Sequence, residues 1–141
     1  MDFHFDHSPE VIWPLMIDSP RSNEATGFPR HEATQTPRPD GSVERIARGK
    51  FGPFPSEWEK FPWEWVEQHK MRNIRRFRKG IFDNITALFE LAPEGDGCHM
   101  HAEFSMESSN LFGTLFLLFG GGTNLARKIE TFIAANVSNV P

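Results

Sequence analysis

The stretch that decides the fold is residues 81–119, which read IFDNITALFELAPEGDGCHMHAEFSMESSNLFGTLFLLF. Its centre, Pro93–Gly97, is the clearest turn in the chain, because proline, glycine and acidic residues cluster there. The strand after this turn alternates strictly between apolar and polar side chains. The alternation predicts a core-facing set and a solvent-facing set, namely Cys98, Met100, Ala102, Phe104 and Met106 against His99, His101 and Glu103.

An apolar helix follows this strand. Asn110 can cap it, and leucine, isoleucine and phenylalanine recur at helical spacing from Leu111 to Ile133. The pattern predicts one long C-terminal helix. Three consecutive glycines at 120–122 cost on the order of 1 kcal/mol each relative to alanine, so the helix either kinks there or passes very close to the sheet. A sheet that packs on such a helix often leaves a hollow between the two layers.

Upstream of this stretch, strand and turn signals recur. A short strand at Phe3–Phe5 precedes two short helices, the first beginning at Ser8-Pro9 and the second running from Ser19-Pro20 to Gly27. Strands separated by proline and glycine turns then lead to residue 91. This order predicts an α+β fold in which an antiparallel sheet of about six or seven strands wraps around the C-terminal helix. We expect a single domain over residues 1–141.

The strands on either side of Lys79-Gly80 form a hairpin whose register the sequence leaves open. A two-residue turn places Arg76 opposite Asp83, whereas a three-residue turn places Arg75 opposite Ile85. Acidic residues before this hairpin and basic residues within it suit cross-strand pairing on a solvated sheet face. They are Glu57, Glu59, Glu64 and Glu67, then Lys70, Arg72, Arg75, Arg76, Arg78 and Lys79.

Composition argues against several classes of protein. The formal charge of −4 over 141 residues disfavours nucleic-acid binding, and the single cysteine, Cys98, excludes an intramolecular disulfide. We see no signal peptide, and the apolar run Leu111–Phe119 is too short to span a membrane, so we expect a cytoplasmic protein. The 14 phenylalanines and the absence of tyrosine suit a large apolar interior.

Groups able to do chemistry are few. His99 and His101 share a strand face and could ligate zinc, but the sequence fixes no third ligand and we expect both to face water. No glycine-rich loop has the context of a phosphate-binding motif, and no Ser-His-Asp or Cys-His set has a meaningful spacing. We therefore predict no catalytic residues, no metal and no cofactor.

Six short motifs resemble the START-like superfamily, also called SRPBCC or Bet v 1-like, whose members have a helix-grip fold. They are Val11–Leu15, Pro55–Glu59, Pro62–Val66, Phe77–Gly80, Leu91–Gly97 and Asn110–Gly113. Within the superfamily, PSEWE and PWEWV look most like domains that precede bacterial class III adenylate/guanylate cyclases. The paired aspartates and purine-selecting residues of the cyclase core have no counterpart here. The resemblance therefore implies a sensory or regulatory domain.

The resemblance also implies that a cavity carries the function. The leading interpretation is a non-enzymatic ligand-binding or regulatory domain with an apolar cavity between the sheet and the C-terminal helix. The expected wall is Trp58, Trp65, Phe77, Phe89, Met100, Phe104, Leu115 and Phe119. If these side chains fill the space, the domain acts by surface contact instead.

Two other functions stay open. One is an enzyme similar to the polyketide cyclase/aromatases, with Arg75 or Arg76 and Asp83 as proton-transfer groups. The other is an interaction module in which an exposed apolar strip on the C-terminal helix mediates dimerisation. The expected partners are a small apolar ligand and a second copy or a downstream cyclase domain, with neither nucleic acid nor a membrane.

Overall fold

The computed structural model describes residues 1–17, 21, 23–24 and 31–139. Within these residues, eight strands form one antiparallel sheet, which confirms the predicted α+β class. The strands are β1 (Asp2–Phe5), β2 (Glu32–Pro37), β3 (Val43–Phe51), β4 (Phe54–Lys60), β5 (Glu64–Val66), β6 (Lys70–Lys79), β7 (Phe82–Glu94) and β8 (Gly97–Ser108). Their order is β1-β8-β7-β6-β4-β3-β2, and the three-residue β5 pairs with β6 beside this path.

The helices are α1 (Pro9–Ile17), α2 (Leu111–Leu118) and α3 (Gly121–Asn136), followed by a 3₁₀ turn at Val137–Asn139. The predicted single C-terminal helix is thus two helices. The chain breaks at Gly120, whose φ of 80° is left-handed and is readily adopted only by glycine. Both ends of the short helix predicted at 19–27 lie outside the described residues, although Arg21, Asn23 and Glu24 are helical.

The alternation predicted for β8 is confirmed. Cys98, Met100 and Ala102 are buried, while Phe104 and Met106 are half-buried and pack against the same side. Glu103 on the other face is exposed. The inward residues meet α3 because Met100 and Ile133 belong to one apolar cluster.

The hairpin between β6 and β7 has the second of the two predicted registers. Arg75 lies opposite Ile85 and Arg76 lies opposite Asn84. Asp83 is exposed beside a register irregularity of β7. The pair Arg76–Asp83, considered above for proton transfer, is therefore not opposed across the hairpin.

The concave face of the sheet carries the core in two parts. The larger cluster joins α1 and α3 to β1, β6, β7 and β8 and includes Ile12, Trp13, Met100 and Ile133. The smaller one surrounds Trp58, and Leu117 of α2 packs against it. Because α2 and α3 diverge at Gly120, each helix covers a different part of this face.

The outer face of the sheet is laced by ion pairs, as the acidic and basic runs predicted. The two runs pair through Arg72 Nη1, which lies 3.5 Å from Glu64, and Arg78 Nη2, which lies 3.6 Å from Glu59. Such exposed pairs contribute about 0–1 kcal/mol each. The paired side chains therefore have a structural explanation that needs neither catalysis nor nucleic acid. Arg75, which was predicted on this solvated face, instead lies on the inner face of the sheet beside the core.

None of the described helices combines the length and the apolar character needed to cross a membrane.

Candidate functional site

A large apolar hollow lies between the sheet and the two C-terminal helices. Its volume is about 750 Å³, within the range of about 300–1,000 Å³ that small-molecule pockets occupy. We call it the phenylalanine groove. It is lined by Phe51, Gly52, Pro53, Phe54, Ile81, Phe82, Ile85, Met106, Phe112, Leu115, Phe116, Phe119, Gly121, Asn124, Leu125, Arg127, Lys128 and Thr131.

Aromatic contacts between distant segments build the sheet side of the groove. The turn from β3 to β4 pairs Phe51 with Phe54, and the Phe54 ring lies 5.0 Å from that of Phe112 on α2. The Phe82 ring lies 5.6 Å from Phe51 and 5.5 Å from Phe116, in edge-to-face geometry. These separations are typical of attractive aromatic pairs. The same rings therefore hold α2 against the sheet and form the apolar surface of the groove.

Helix α2 is held close to the sheet at its beginning. Asn110 caps it by accepting a hydrogen bond from the Gly113 backbone at 3.1 Å, and the Ser109 backbone donates to the Ile81 carbonyl at 3.0 Å. A Cβ atom on Gly113 would lie 2.0 Å from that same carbonyl oxygen. Only glycine permits this approach, which sets the width of the groove at this end.

Helix α3 supplies the polar part of the lining. Asn124, Arg127, Lys128 and Thr131 follow one stripe of the helix and line the groove, while Ala126, Ile129 and Ile133 face the core. Arg127 and Lys128 are exposed. The groove thus has an aromatic wall from the sheet and α2 and a cationic wall from α3.

A second, much smaller hollow lies beneath α1 and α3. Its volume is about 50 Å³, room for a few water molecules rather than a drug-sized ligand. Arg75 and Asn73 of β6 line it together with Phe89 and Phe104. Burial lowers the pKa of Arg75 to about 10, so the guanidinium stays charged at neutral pH. The buried Asn73 side-chain oxygen accepts no hydrogen bond from any described residue.

The eight predicted wall residues do not share one wall. Phe89 and Phe104 line the small hollow, and Leu115 and Phe119 line the phenylalanine groove. The others lie elsewhere: Met100 is in the larger core cluster, Trp58 and Phe77 are in the smaller one, and Trp65 on β5 is 59% exposed with its ring 6.1 Å from Trp13.

Most of the groove was not predicted from the sequence. Phe51, Phe54, Phe82, Phe112 and Phe116 were not singled out, although the phenylalanine-rich composition was. The available signal was the run Leu111–Phe119, in which Thr114 is the only polar residue. A helix with so few polar residues indicates apolar partners on more than one side.

The polar residues considered for chemistry lie outside the groove. His101 Nδ1 and His99 Nε2 lie 2.9 and 3.1 Å from Asp2 Oδ1 on the outer face of β1 and β8. The hydrogen bond with His101 lowers the pKa of the Asp2 carboxyl. Among the described residues, no group of three or more His, Cys, Asp or Glu side chains is placed to hold a metal ion. Burial raises the pKa of the Cys98 thiol, which keeps it protonated and unreactive.

No protein-family profile and no curated protein matches the chain, but solved structures do. TTHA0849 from Thermus thermophilus superposes with a TM-score of 0.61 over 96% of this chain and 95% of that one, at 16% identity. Ara h 8.0201 does so with a TM-score of 0.55 over 96% of both chains, at 8% identity. The chain has the Bet v 1-like helix-grip fold.

A further neighbour extends the likeness to a biosynthetic protein. The di-domain ARO/CYC StfQ from the steffimycin biosynthetic pathway superposes with a TM-score of 0.58, over 98% of this chain and 50% of that chain, at 6% identity. Identities this low show a common fold and carry no residue roles. Function must therefore be argued from the groove itself.

Proposed function

We propose that this protein is a non-enzymatic ligand-binding domain that holds a small apolar molecule in the phenylalanine groove. One observation supports this most strongly: a hollow of about 750 Å³ whose sheet side is built from phenylalanine, isoleucine and methionine. Large exposed apolar patches on proteins usually mark a site that binds a ligand or a partner.

The expected affinity follows from the apolar area that a ligand would bury. A molecule the size of a dodecyl chain that buries about 400 Å² gains about 10 kcal/mol at 25 cal/mol per Å². Association costs at least about 4 kcal/mol of this. The remaining free energy of about 6 kcal/mol corresponds to a dissociation constant of tens of micromolar.

Two tryptophan variants of α3 test the location of the site. Thr131 lines the groove, whereas Ala134 is exposed on the same helix outside it. Thr131→Trp should weaken the binding of dodecanol about tenfold, the equivalent of losing about 55 Å² of apolar contact. Ala134→Trp should leave the affinity unchanged. Equal affinities for both variants, or no binding by the native chain, would refute the groove as the site.

An enzyme similar to the polyketide cyclase/aromatases is less well supported. Arg75 is a half-buried polar group that such a reaction could use, but the hollow beside it measures about 50 Å³, well below a ligand pocket. Turnover of an aromatic polyketide analogue that Arg75→Met abolishes, with dodecanol binding intact, would favour the enzyme over our proposal.

From the resemblance to domains that precede class III cyclases, we also propose a regulatory role in which the domain pairs with a second copy through α2. Leu111 and Leu118 of α2 point outward and are 68% and 75% exposed, enough to seed an apolar contact. The single-domain organisation and cytoplasmic location expected from the sequence belong to this same proposal.

Native mass spectrometry tests the pairing. The native chain should give dimers, and Leu118→Glu should give monomers because it places a charge in the contact. Val43→Glu is the matched control, since Val43 is an exposed apolar residue on β3 rather than on α2. Monomers of the native chain at every concentration would end this proposal.

A further inference from the structure

We infer that the phenylalanine groove takes a small amphipathic anion, an apolar body with a carboxylate or similar acidic group at one end. This inference rests on the proposed function, because it names the class of ligand that the same groove accepts. It goes further in assigning Arg127 and Lys128 as the residues that receive the acidic group.

The charges around the groove all have one sign. Arg127 and Lys128 are the charged residues among its lining, and no aspartate or glutamate of the described chain lines it. The lack of acidic residues in this lining contrasts with the whole chain, which has 19 acidic and 15 basic residues. A cation in the ligand would find no carboxylate among the described lining residues, whereas an anion would find two cations.

Arg127 and Lys128 are also available for a ligand. Within the described part of the chain neither forms an ion pair or a side-chain hydrogen bond. Many other cations are already engaged with glutamates on the sheet, namely Arg38, Arg48, Lys70, Arg72 and Arg78. The two cations of the groove are thus not needed to balance charges of the fold.

The layout of the groove orients such a ligand. Phe82, Ile85 and Phe116 offer the apolar surface, and α3 adds Arg127 and Lys128 to the same lining. An apolar body packed on the rings would leave its acidic end facing the cations, near water, where a charge loses little hydration. Two charge-assisted contacts at an exposed site of this kind together favour the anion by about three- to tenfold.

Binding of matched ligands to the purified chain tests the inference. Dodecanoate, dodecanol and dodecyltrimethylammonium have the same alkyl chain and differ in charge, and they are titrated below their micelle concentrations. Dodecanoate should bind about three- to tenfold more tightly than dodecanol, and the cationic analogue should bind most weakly. Added salt should reduce the advantage of the anion. 2-Naphthoate and its methyl ester provide the same comparison for an aromatic body.

Charge-removing variants identify the residues responsible. Arg127→Gln/Lys128→Gln should abolish the preference for dodecanoate over dodecanol. Lys70→Gln/Arg72→Gln removes the same charge from the outer sheet face and should preserve the preference. If dodecanol binds and dodecanoate binds no better, the anion inference is wrong while the apolar site stands. If neither binds, the proposed function itself fails.

Discussion

Replacing Gly113 with alanine should destabilise the protein, although helix propensity alone predicts the opposite. Alanine within a helix is favoured over glycine by about 1 kcal/mol. The new methyl group, however, would lie 2.0 Å from the Ile81 carbonyl oxygen and 2.9 Å from Ser108 Cβ. An ordinary contact is roughly 3.4 Å, so α2 must move away from the sheet by roughly 1 Å or more.

This displacement has a cost that exceeds the gain in propensity. Overpacking costs typically about 1–3 kcal/mol, and weakening the hydrogen bond from Ser109 to Ile81 adds about 1 kcal/mol. Against the gain of about 1 kcal/mol, we expect a net loss of about 1–3 kcal/mol. The groove should lose affinity for dodecanol too, because Phe112, Leu115 and Phe116 move with α2.

Urea denaturation followed by tryptophan fluorescence measures this loss. With a slope of about 2 kcal/mol per molar urea, the midpoint should fall by about 0.5–1.5 M. Thr123→Ala, at an exposed position of α3, is the control and should stay within about 0.5 kcal/mol of the native chain. A midpoint for Gly113→Ala equal to or above the native one would show that α2 does not rest on Ile81.

Three further predictions concern the core, the cap of α2 and pH. Phe104→Ala should lower the free energy of unfolding by about 2–4 kcal/mol, somewhat less than the loss for a fully buried aromatic. The reason is that Phe104 is half-buried, with its ring centroid 5.5 Å from that of Phe89. An unchanged urea midpoint would place Phe104 outside the core. Asn110→Ala should cost about 1 kcal/mol through loss of the cap, and Asn110→Asp should restore most of it; equal losses for both would point to another cause. Asp2→Asn should make stability less sensitive to acid. The pKa of Asp2 is lower in the folded chain than its ordinary value of 3.8, so its contribution is present above that value and is lost as pH falls through the folded one. If the native chain and Asp2→Asn lost stability in parallel down to about pH 2, the expected contribution of Asp2 would be contradicted.

The sequence predicted local features well where one pattern carried the information. The alternation in β8 identified Met100 and Ala102 as core residues because strand side chains alternate with a period of two. The glycines at 120–122 predicted a disturbance of the C-terminal helix, and Gly120 does break it. Both features depend on residues that are neighbours in the chain.

The cavity could not be predicted in the same way. The residues chosen for its wall have large apolar side chains, yet they divide among two core clusters, two hollows and an exposed edge. Whether an inward residue fills the core or lines a void depends on the spacing between sheet and helix. That spacing is set by contacts such as Gly113 against Ile81, which no local pattern reveals.

Sequence patterns were therefore sufficient to establish the α+β class, the buried face of β8 and the break at Gly120. Three-dimensional packing was needed to establish the register that opposes Arg75 to Ile85, and to gather Phe54, Phe112 and distant phenylalanines around one groove. The difference between the two sets is one of range. Periodicity and backbone preference act between residues that are close in the chain. A void, in contrast, remains where the side chains that distant segments place between two layers do not fill the space between those layers.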